Sequence, residues 1–121
     1  MVRMGVRVRR VYESPEKRRG DGVRILVDRL WPRGMSKDRL QLDRWVKEVA
    51  PSTELRTWYG HRPERFDEFA TRYRRELRDA DHRAEVADLR RIASRGALTL
   101  LTATKDVEHS GAAVLAGALN A

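Results

Sequence analysis

The sequence predicts an α/β fold: a single domain, spanning residues 1–121, in which helices flank a small, mainly parallel sheet. Two short apolar runs, at residues 23–30 and 97–103, have the length and branched composition of strands buried on both faces. Segments with helical spacing of apolar residues separate the two runs, so a helical crossover makes the strands parallel. A chain of 121 residues is the usual length of one domain with its own core.

The N-terminal half is expected to hold two strands and two helices. Residues 6–12 alternate in polarity and contain β-branched side chains, which indicates a strand with one face in water. A polar loop rich in Pro and Gly, residues 14–22, leads into the strand at residues 23–30. Apolar residues at three- and four-residue steps predict an amphipathic helix over residues 42–49. Ser52 is a predicted N-cap for a second, shorter helix.

The C-terminal half is expected to hold two longer helices, the second buried strand and a closing helix. An aromatic stripe predicts a helix over residues 63–78, and a second stripe predicts another over residues 86–93, ended by Gly96. The strand at residues 97–103 and a small-residue helix at 112–119 complete the chain. Because parallel strands end at the same edge of a sheet, the loops after the two buried strands are expected to lie side by side.

Composition limits the classes of function. The net charge is +8, and 22 of the 26 basic residues are arginine, which favours attraction to phosphate in nucleic acid or in a smaller ligand. The alternative is that most arginines lie on solvated helix faces. The absence of cysteine excludes disulfides, zinc–thiolate sites and thiolate nucleophiles. No apolar stretch approaches the roughly 18 residues of a membrane span, and the first ten residues lack a signal-peptide core, so we expect a cytoplasmic protein.

The first candidate cluster follows the strand at residues 23–30. Asp28 and Arg29 come where such a strand reaches the surface, next to the rigid turn of Trp31, Pro32, Arg33 and Gly34, with Lys37 just beyond. Arginine offers a planar fork for carboxylate or phosphate, and Trp31 offers a stacking face. Asp28 is a candidate base. The alternative is a structural Asp–Arg pair with Trp31 packed beneath it.

The second candidate cluster is the loop at residues 104–110. A loop between a strand and the start of a helix presents free backbone N–H groups, so Thr104, Lys105 and Ser110 suit an oxyanion, with His109 close by. The loop lacks the glycines of a nucleotide-binding fingerprint, and no cofactor is expected. The alternative is ordinary capping of the helix that follows.

The third candidate cluster is Arg56, Trp58 and His61. His61 lies in a broken, aromatic segment and could act as a general acid or base, or instead cap a helix. His82 is expected to be solvated between two helices. No i, i+4 histidine pair exists, so no metal site is predicted. Ser52 has no nucleophile elbow around it, which favours the capping role.

The string Asp-Arg-Leu-Trp-Pro-Arg-Gly at residues 28–34, with Lys37, resembles the YeaO-like family of bacterial proteins with a domain of unknown function. The resemblance continues through residues 42–45, 50–61, 66–77 and 98–109, and so covers nearly the whole chain. It implies a small cytoplasmic α/β domain and supplies no established activity. One departure is that Ser110 follows His109, where the family pattern often has Asn.

These observations favour a pocket at the carboxyl edge of the sheet for a small anionic or aromatic ligand, with catalysis left open. Arg33 and Lys105 would hold the anion and Trp31 would stack on the ligand. One alternative is a nucleic-acid-binding module that uses the arginine-rich surface, with weak, salt-sensitive binding expected. Another is an interaction protein whose exposed aromatics dock a partner. The candidate catalytic residues are Asp28, His61 and His109, and the candidate ligand-binding residues are Arg29, Trp31, Arg33, Lys37, Arg56, Trp58, Thr104 and Lys105.

Overall fold

Parallel strands form the centre of the structure, a computed structural model that describes residues 5–120. They are β1 (Val6–Arg10), β2 (Val23–Leu26), β3 (Arg44–Trp45) and β4 (Leu98–Thr102), and their order across the sheet is β1-β4-β2-β3. Every pairing within the described residues is parallel. The predicted small, parallel sheet is therefore confirmed, and the two buried strands are direct neighbours.

The strand β4 lies inside the sheet, between β1 and β2, and every one of its residues is buried. The first strand, β1, lies at the edge, and its burial alternates only at its start, where Val6 is buried and Arg7 is exposed, while its other three residues are partly buried. Its outer edge is occupied by Asn120, whose carboxamide oxygen accepts from the Val6 N–H at 2.9 Å and whose amide donates to the Val6 carbonyl at 3.1 Å. The C-terminal residue of the last helix thus supplies both partners that a neighbouring strand would offer there.

The α-helices are α1 (Thr53–Tyr59), α2 (Phe66–Glu76), α3 (Arg83–Arg95) and α4 (Gly111–Asn120). The predictions for residues 63–78, 86–93 and 112–119 are confirmed, although a single turn of 3₁₀ helix replaces the start of the first. Ser52 caps α1, since its Oγ accepts from the Leu55 N–H at 3.2 Å. None of these helices is long and apolar enough to cross a membrane, within residues 5–120.

The helix predicted over residues 42–49 is wrong. Arg44 and Trp45 instead form β3 beside β2, and only Lys47–Val49 make a turn of 3₁₀ helix. Hydrogen bonds to β2 decide the outcome: Asp43 N–H donates to the Arg24 carbonyl at 2.8 Å and Val46 N–H to the Leu26 carbonyl at 2.9 Å. The apolar residues of this segment show helical spacing because some of them pack on one face of the sheet and the others pack on the opposite face.

The two faces of the sheet are covered by different structural elements. The larger hydrophobic cluster contains Ile25, Leu100 and residues of all four helices. The smaller cluster contains Leu26 and Leu101 from the same strands, covered by Met35, Leu40 and the rings of Trp31 and Trp45. Because side chains alternate along a strand, the four helices pack on one face, and the segment at residues 31–45 closes the other.

An ion pair is fully buried at the amino end of β2. Arg24 is 1% exposed and Asp21 0% exposed, and a guanidinium nitrogen of Arg24 donates to the Asp21 carboxylate at 2.8 Å. The remaining guanidinium nitrogens donate to backbone carbonyls of two loops. These acceptors, at 2.6–3.1 Å, are the carbonyls of Ser14, Pro15 and Gln41. One arginine thereby joins the loop before β2 to the loop before β3.

The Asp21 carboxylate is a well-compensated charge. It accepts from the Arg18 N–H at 2.9 Å and lies 3.4 Å from Nε of Arg9. Burial alone would raise the pKa of Asp21, but the hydrogen bond from Arg18, the bond and charge of Arg24 and the charge of Arg9 together lower it. The Asp21 backbone carbonyl also accepts from the Thr99 hydroxyl of β4 at 2.8 Å. The amino end of β2 is thus a closed polar cluster, enclosed by its loops, in which Asp21 Oδ1, Arg9 Nε and Ser14 Oγ have no hydrogen bond within residues 5–120.

Candidate functional site

A cleft of about 810 Å³ opens at the carboxyl edge of the sheet. Its walls are the turn after β2, the loop after β4, helix α1 and the first residues of α4. The sequence predicts that the two loops lie side by side, and the structure confirms it. Ligands of open α/β sheets bind at this edge because the loops that follow parallel strands gather there.

Asp28 joins the two loops across the cleft wall. Its Oδ1 accepts from the Thr102 hydroxyl and its Oδ2 from the Ala103 N–H, both at 2.7 Å, while its backbone carbonyl accepts from the Trp45 indole at 2.7 Å. Burial raises the pKa of the Asp28 carboxyl, although both hydrogen bonds and the charges of His61 and Arg56 oppose the increase. The alternative of a structural Asp–Arg pair is wrong, because the carboxylate is held by neutral donors.

Basic side chains outnumber acidic ones in the cleft. Arg29, Arg33, Arg56 and Lys105 line it, with the carboxylates of Asp28 and Asp106 as their counterparts within the described residues. The side chains of Arg29, Arg33 and Lys105 have no hydrogen bond or ion pair anywhere in residues 5–120. Arg56 has one long contact, from its guanidinium to the Thr53 hydroxyl at 3.3 Å. These four cations are therefore free to meet a ligand.

His61 lies at the mouth of the cleft in a left-handed backbone conformation, with φ at 56°. It follows Gly60, which has φ 54° and ends α1. A left-handed backbone is unusual for a histidine, and such conformations cluster at binding sites. The imidazole is exposed, and its charge acts on Asp28. The predicted break at this segment is confirmed.

The floor of the cleft is aromatic, which the sequence did not reveal. Tyr59, Phe69 and Tyr73 line it, and the rings of Tyr59 and Phe69 stack at 4.2 Å between centroids and 15° between planes. Tyr73 is fixed by its hydroxyl, which donates to the Val49 carbonyl at 2.6 Å. The helical stripe of α2 predicts Phe69 and Tyr73 as core, whereas Tyr59 ends α1 and belongs to no predicted stripe. The available signal in α2 is that its stripe contains a tyrosine as well as phenylalanines.

Trp31 and Thr104 also line the cleft, as predicted. Trp31 is partly buried, its indole N–H donates to the Met35 carbonyl at 2.5 Å, and its ring meets Trp45 edge to face at 5.5 Å. The Thr104 N–H donates to the Thr102 hydroxyl oxygen at 3.2 Å, which extends the hydrogen-bonded chain from Asp28. Trp31 is thus a packed wall of the cleft rather than a free stacking platform.

The structure does not bring Lys37, Trp58 or His109 into the cleft. Lys37 is exposed beyond the turn, and Trp58 lies between the guanidinium groups of Arg65 and Arg72, at 5.1 and 4.5 Å. His109 turns the edge of its ring toward Phe66 and bonds Asp106 through Nδ1 at 2.8 Å. What His109 offers the site is its backbone carbonyl, which accepts from the Tyr59 hydroxyl at 2.6 Å.

Three further polar side chains have structural partners. Ser52 binds the carboxylate of Glu76 as well as capping α1, and the Ser110 Oγ accepts from the Ala113 N–H at 3.1 Å at the start of α4. The prediction that His82 is solvated is wrong: it is 7% exposed, between Asp79 and the Ala50 carbonyl. Burial opposes its protonation, but these two hydrogen bonds and the nearby carboxylates raise the pKa of His82. No three His, Asp or Glu side chains gather as a metal site in the described residues.

Comparisons with known proteins identify the family. A family model described as the inactive DUF488-N3 subclade matches residues 5–121. The uncharacterized protein Rv3073c of Mycobacterium tuberculosis is 54% identical over 115 residues, which are 95% of this chain and 93% of that protein. The uncharacterized protein YeaO of Escherichia coli is 44% identical over 113 residues, 93% of this chain and 95% of that protein. No solved structure matches. The chain therefore belongs to the YeaO-like proteins of the inactive DUF488-N3 subclade, a bacterial family of unknown function.

Proposed function

We propose that this protein binds a small organic anion in the cleft at the carboxyl edge of its sheet. The observation that carries the proposal is that Arg29, Arg33 and Lys105 line one cleft and have no partner within residues 5–120. Exposed arginines outside the cleft, such as Arg74 and Arg78, also lack a partner within residues 5–120, and what sets the cleft cations apart is that they line one concave surface. Unpaired cations around a concave surface attract a carboxylate or phosphate group, which the arginine fork matches geometrically.

Binding is favoured over catalysis for two reasons. Asp28, the candidate base, already accepts a hydrogen bond on each oxygen from the end of β4, so its orientation is fixed by the scaffold. The family to which the chain belongs is also described as inactive. A cleft of about 810 Å³ is within the range of about 300–1,000 Å³ that small-ligand pockets span. We expect the ligand to be a cytoplasmic metabolite.

The test is an NMR titration of the folded protein with inorganic phosphate, followed by the backbone amides of the two loops. We expect saturable shifts at residues 28–34 and 102–106, and an affinity weakened on the order of tenfold, about 1.4 kcal/mol, in the double variant Arg33→Ala, Lys105→Ala. The matched control is Arg74→Ala, Arg78→Ala, which removes two exposed cations outside the cleft. Shifts spread evenly over the surface, or an equal loss in the control, would contradict the proposal.

A duplex DNA titration separates the proposal from nucleic-acid binding. The net charge of +8 predicts weak association that falls steeply with salt, with no dependence on the cleft residues. Tight binding of the duplex at physiological salt that is lost in the cleft double variant would favour the nucleic-acid alternative.

A further inference from the structure

The cleft has two chemically different parts, divided by depth. Arg33 and Lys105 are exposed and form the mouth together with His61. The floor is formed by side chains that are nearly free of solvent, among them Phe69 at 2% and Tyr73 at 1% exposure. The hydroxyls of Tyr59 and Tyr73 each donate a hydrogen bond to a backbone carbonyl. What these two residues contribute to the cleft lining is therefore apolar ring surface. A ligand that fills the cleft therefore needs a charged end and a flat apolar body.

Asp28 adds a third requirement near the floor. Asp28 and Tyr73 both line the cleft. Each Asp28 oxygen accepts one hydrogen bond from the protein, and a carboxylate oxygen can accept two. The unused acceptor capacity of this cleft-lining carboxylate favours a ligand that donates N–H groups.

We infer that the ligand is an aromatic anion that carries an N–H donor at the end away from its anionic group. The inference rests on the proposed anion-binding function and names the chemistry of the ligand. The anionic group meets Arg33 and Lys105, the ring lies over the stacked pair of Tyr59 and Phe69, and the N–H donates to Asp28. A carboxylate or a phosphate at the charged end meets the same partners.

The N–H donor is the feature that gives selectivity. Ring burial attracts many apolar anions, because the hydrophobic effect is non-directional. A partly desolvated carboxylate distinguishes ligands more sharply. A ligand without a donor displaces water from Asp28 and leaves the carboxylate without the hydrogen bond that the water made. Two compounds that differ by one amino group therefore report on the acceptors of the cleft, and the same comparison in an Asp28 variant assigns the difference to Asp28.

Three stable probes separate the parts of the inference: methylphosphonate, benzylphosphonate and 4-aminobenzylphosphonate. All carry the same anionic group, the second adds the ring, and the third adds the donor. With the wild-type protein we expect the ring to strengthen binding about tenfold and the amino group to strengthen it by about tenfold again. In Asp28→Asn the gain from the amino group should fall, because the carboxamide keeps only one neutral acceptor oxygen, and the gain from the ring should remain.

Each outcome bears on a different statement. Equal binding of methylphosphonate and benzylphosphonate would overturn the aromatic part while anion binding stands. An amino group that adds nothing, or whose gain is unchanged in Asp28→Asn, would overturn the donor part. Failure of all three probes to bind would overturn the proposed function itself. If Asp28→Asn does not fold, nuclear Overhauser effects between the ring protons of 4-aminobenzylphosphonate and those of Tyr59 and Phe69 in the wild type still test the pose, and their absence would overturn it.

Discussion

The two ends of β2 each hold an aspartate in a polar cluster, and the clusters differ in their partners. Asp21 lies before the strand, fully buried, against the guanidinium of Arg24. Asp28 lies after the strand, partly buried, against the Thr102 hydroxyl and the Ala103 N–H. The first cluster is closed by the loops that Arg24 joins. The second faces a cleft lined by unpaired cations.

The difference shows that the partners of a buried carboxylate, charged or neutral, distinguish a structural aspartate from a candidate site residue more clearly than its burial does. Charges and hydrogen bonds outweigh burial at Asp21 and lower its pKa, whereas burial outweighs neutral donors at Asp28 and raises its pKa. The Asp21 charge is compensated by two arginines, although its Oδ1 accepts no hydrogen bond within residues 5–120. A carboxylate that is held in place but not neutralised keeps acceptor capacity for a molecule that enters the cleft.

The substitution Arg24→Met gives the largest expected effect, because it breaks the closed cluster. It removes the cation opposite Asp21 and leaves the carbonyls of Ser14 and Gln41 without that donor, whereas the Pro15 carbonyl keeps the N–H of Gln41. Removing one member of a buried ion pair costs about 3–5 kcal/mol, so we expect a loss of that size in the free energy of unfolding measured by urea denaturation.

The matched control is Arg44→Met. Arg44 forms an exposed pair with Asp88, at 2.7 Å, and such pairs contribute about 0–1 kcal/mol. Similar losses in the two variants would mean that the buried cluster is no more structural than a surface pair, and the contrast between the two ends of β2 would fail.

Two threonines of β4 allow a finer comparison, because each bonds one of the two aspartates. Thr99→Val leaves the buried Asp21 carbonyl without a donor, and we expect a loss of about 1–3 kcal/mol in unfolding free energy. Thr102→Val should cost about 1 kcal/mol, the lower end of that range, since water from the cleft can replace the lost hydroxyl at Asp28. Only Thr102→Val should weaken binding of 4-aminobenzylphosphonate. Equal binding by both variants would show that the orientation of Asp28 does not matter to the cleft.

The smallest effect concerns pH. The folded-state pKa of Asp28 is raised, so its contribution to stability is complete below its ordinary pKa of 3.8 and is lost as pH rises through the folded pKa. The stability advantage of the wild type over Asp28→Asn should therefore shrink as the pH rises above 3.8. The folded-state pKa of Asp21 is lowered, so the advantage over Asp21→Asn should be complete above 3.8 and fall at more acid pH. Urea denaturation of the three proteins on both sides of this pH measures both trends, and parallel curves would contradict them.

Much of the fold could be predicted because its strongest signals are local. Branched apolar runs predict the two buried strands, and helical stripes predict α2, α3 and α4. Residues 42–49 could not be predicted, since their spacing fits a helix while their hydrogen bonds to β2 come from distant sequence. Arg24 could not be recognised as buried either: it stands among apolar residues like any strand arginine, and its acceptors come from two loops.

The candidate site was predictable where it depends on topology and not where it depends on side-chain direction. Parallel strands require the loops after β2 and β4 to meet, and this brings Asp28, Arg33, Thr104 and Lys105 to one cleft. The rings of Trp58 and His109 turn elsewhere because cations and aromatics outside the cleft hold them. Phe69 and Tyr73 of the aromatic floor belong to α2, and Tyr59 ends α1. The spacing of apolar residues along a helix does not show which of them also face a cleft.

The hydrogen bonds between Asn120 and Val6 have a consequence for aggregation. An open strand edge recruits further strands from other chains, and that route leads to aggregation. Here the outward N–H and carbonyl of Val6 already hold a complementary amide. At this point on β1 a second molecule would have to displace the carboxamide before it could add a strand. Replacing Asn120 would thus expose a strand edge to which other molecules can add, without disturbing the apolar core. Self-association at high protein concentration would then increase, while the stability of the monomer would change little.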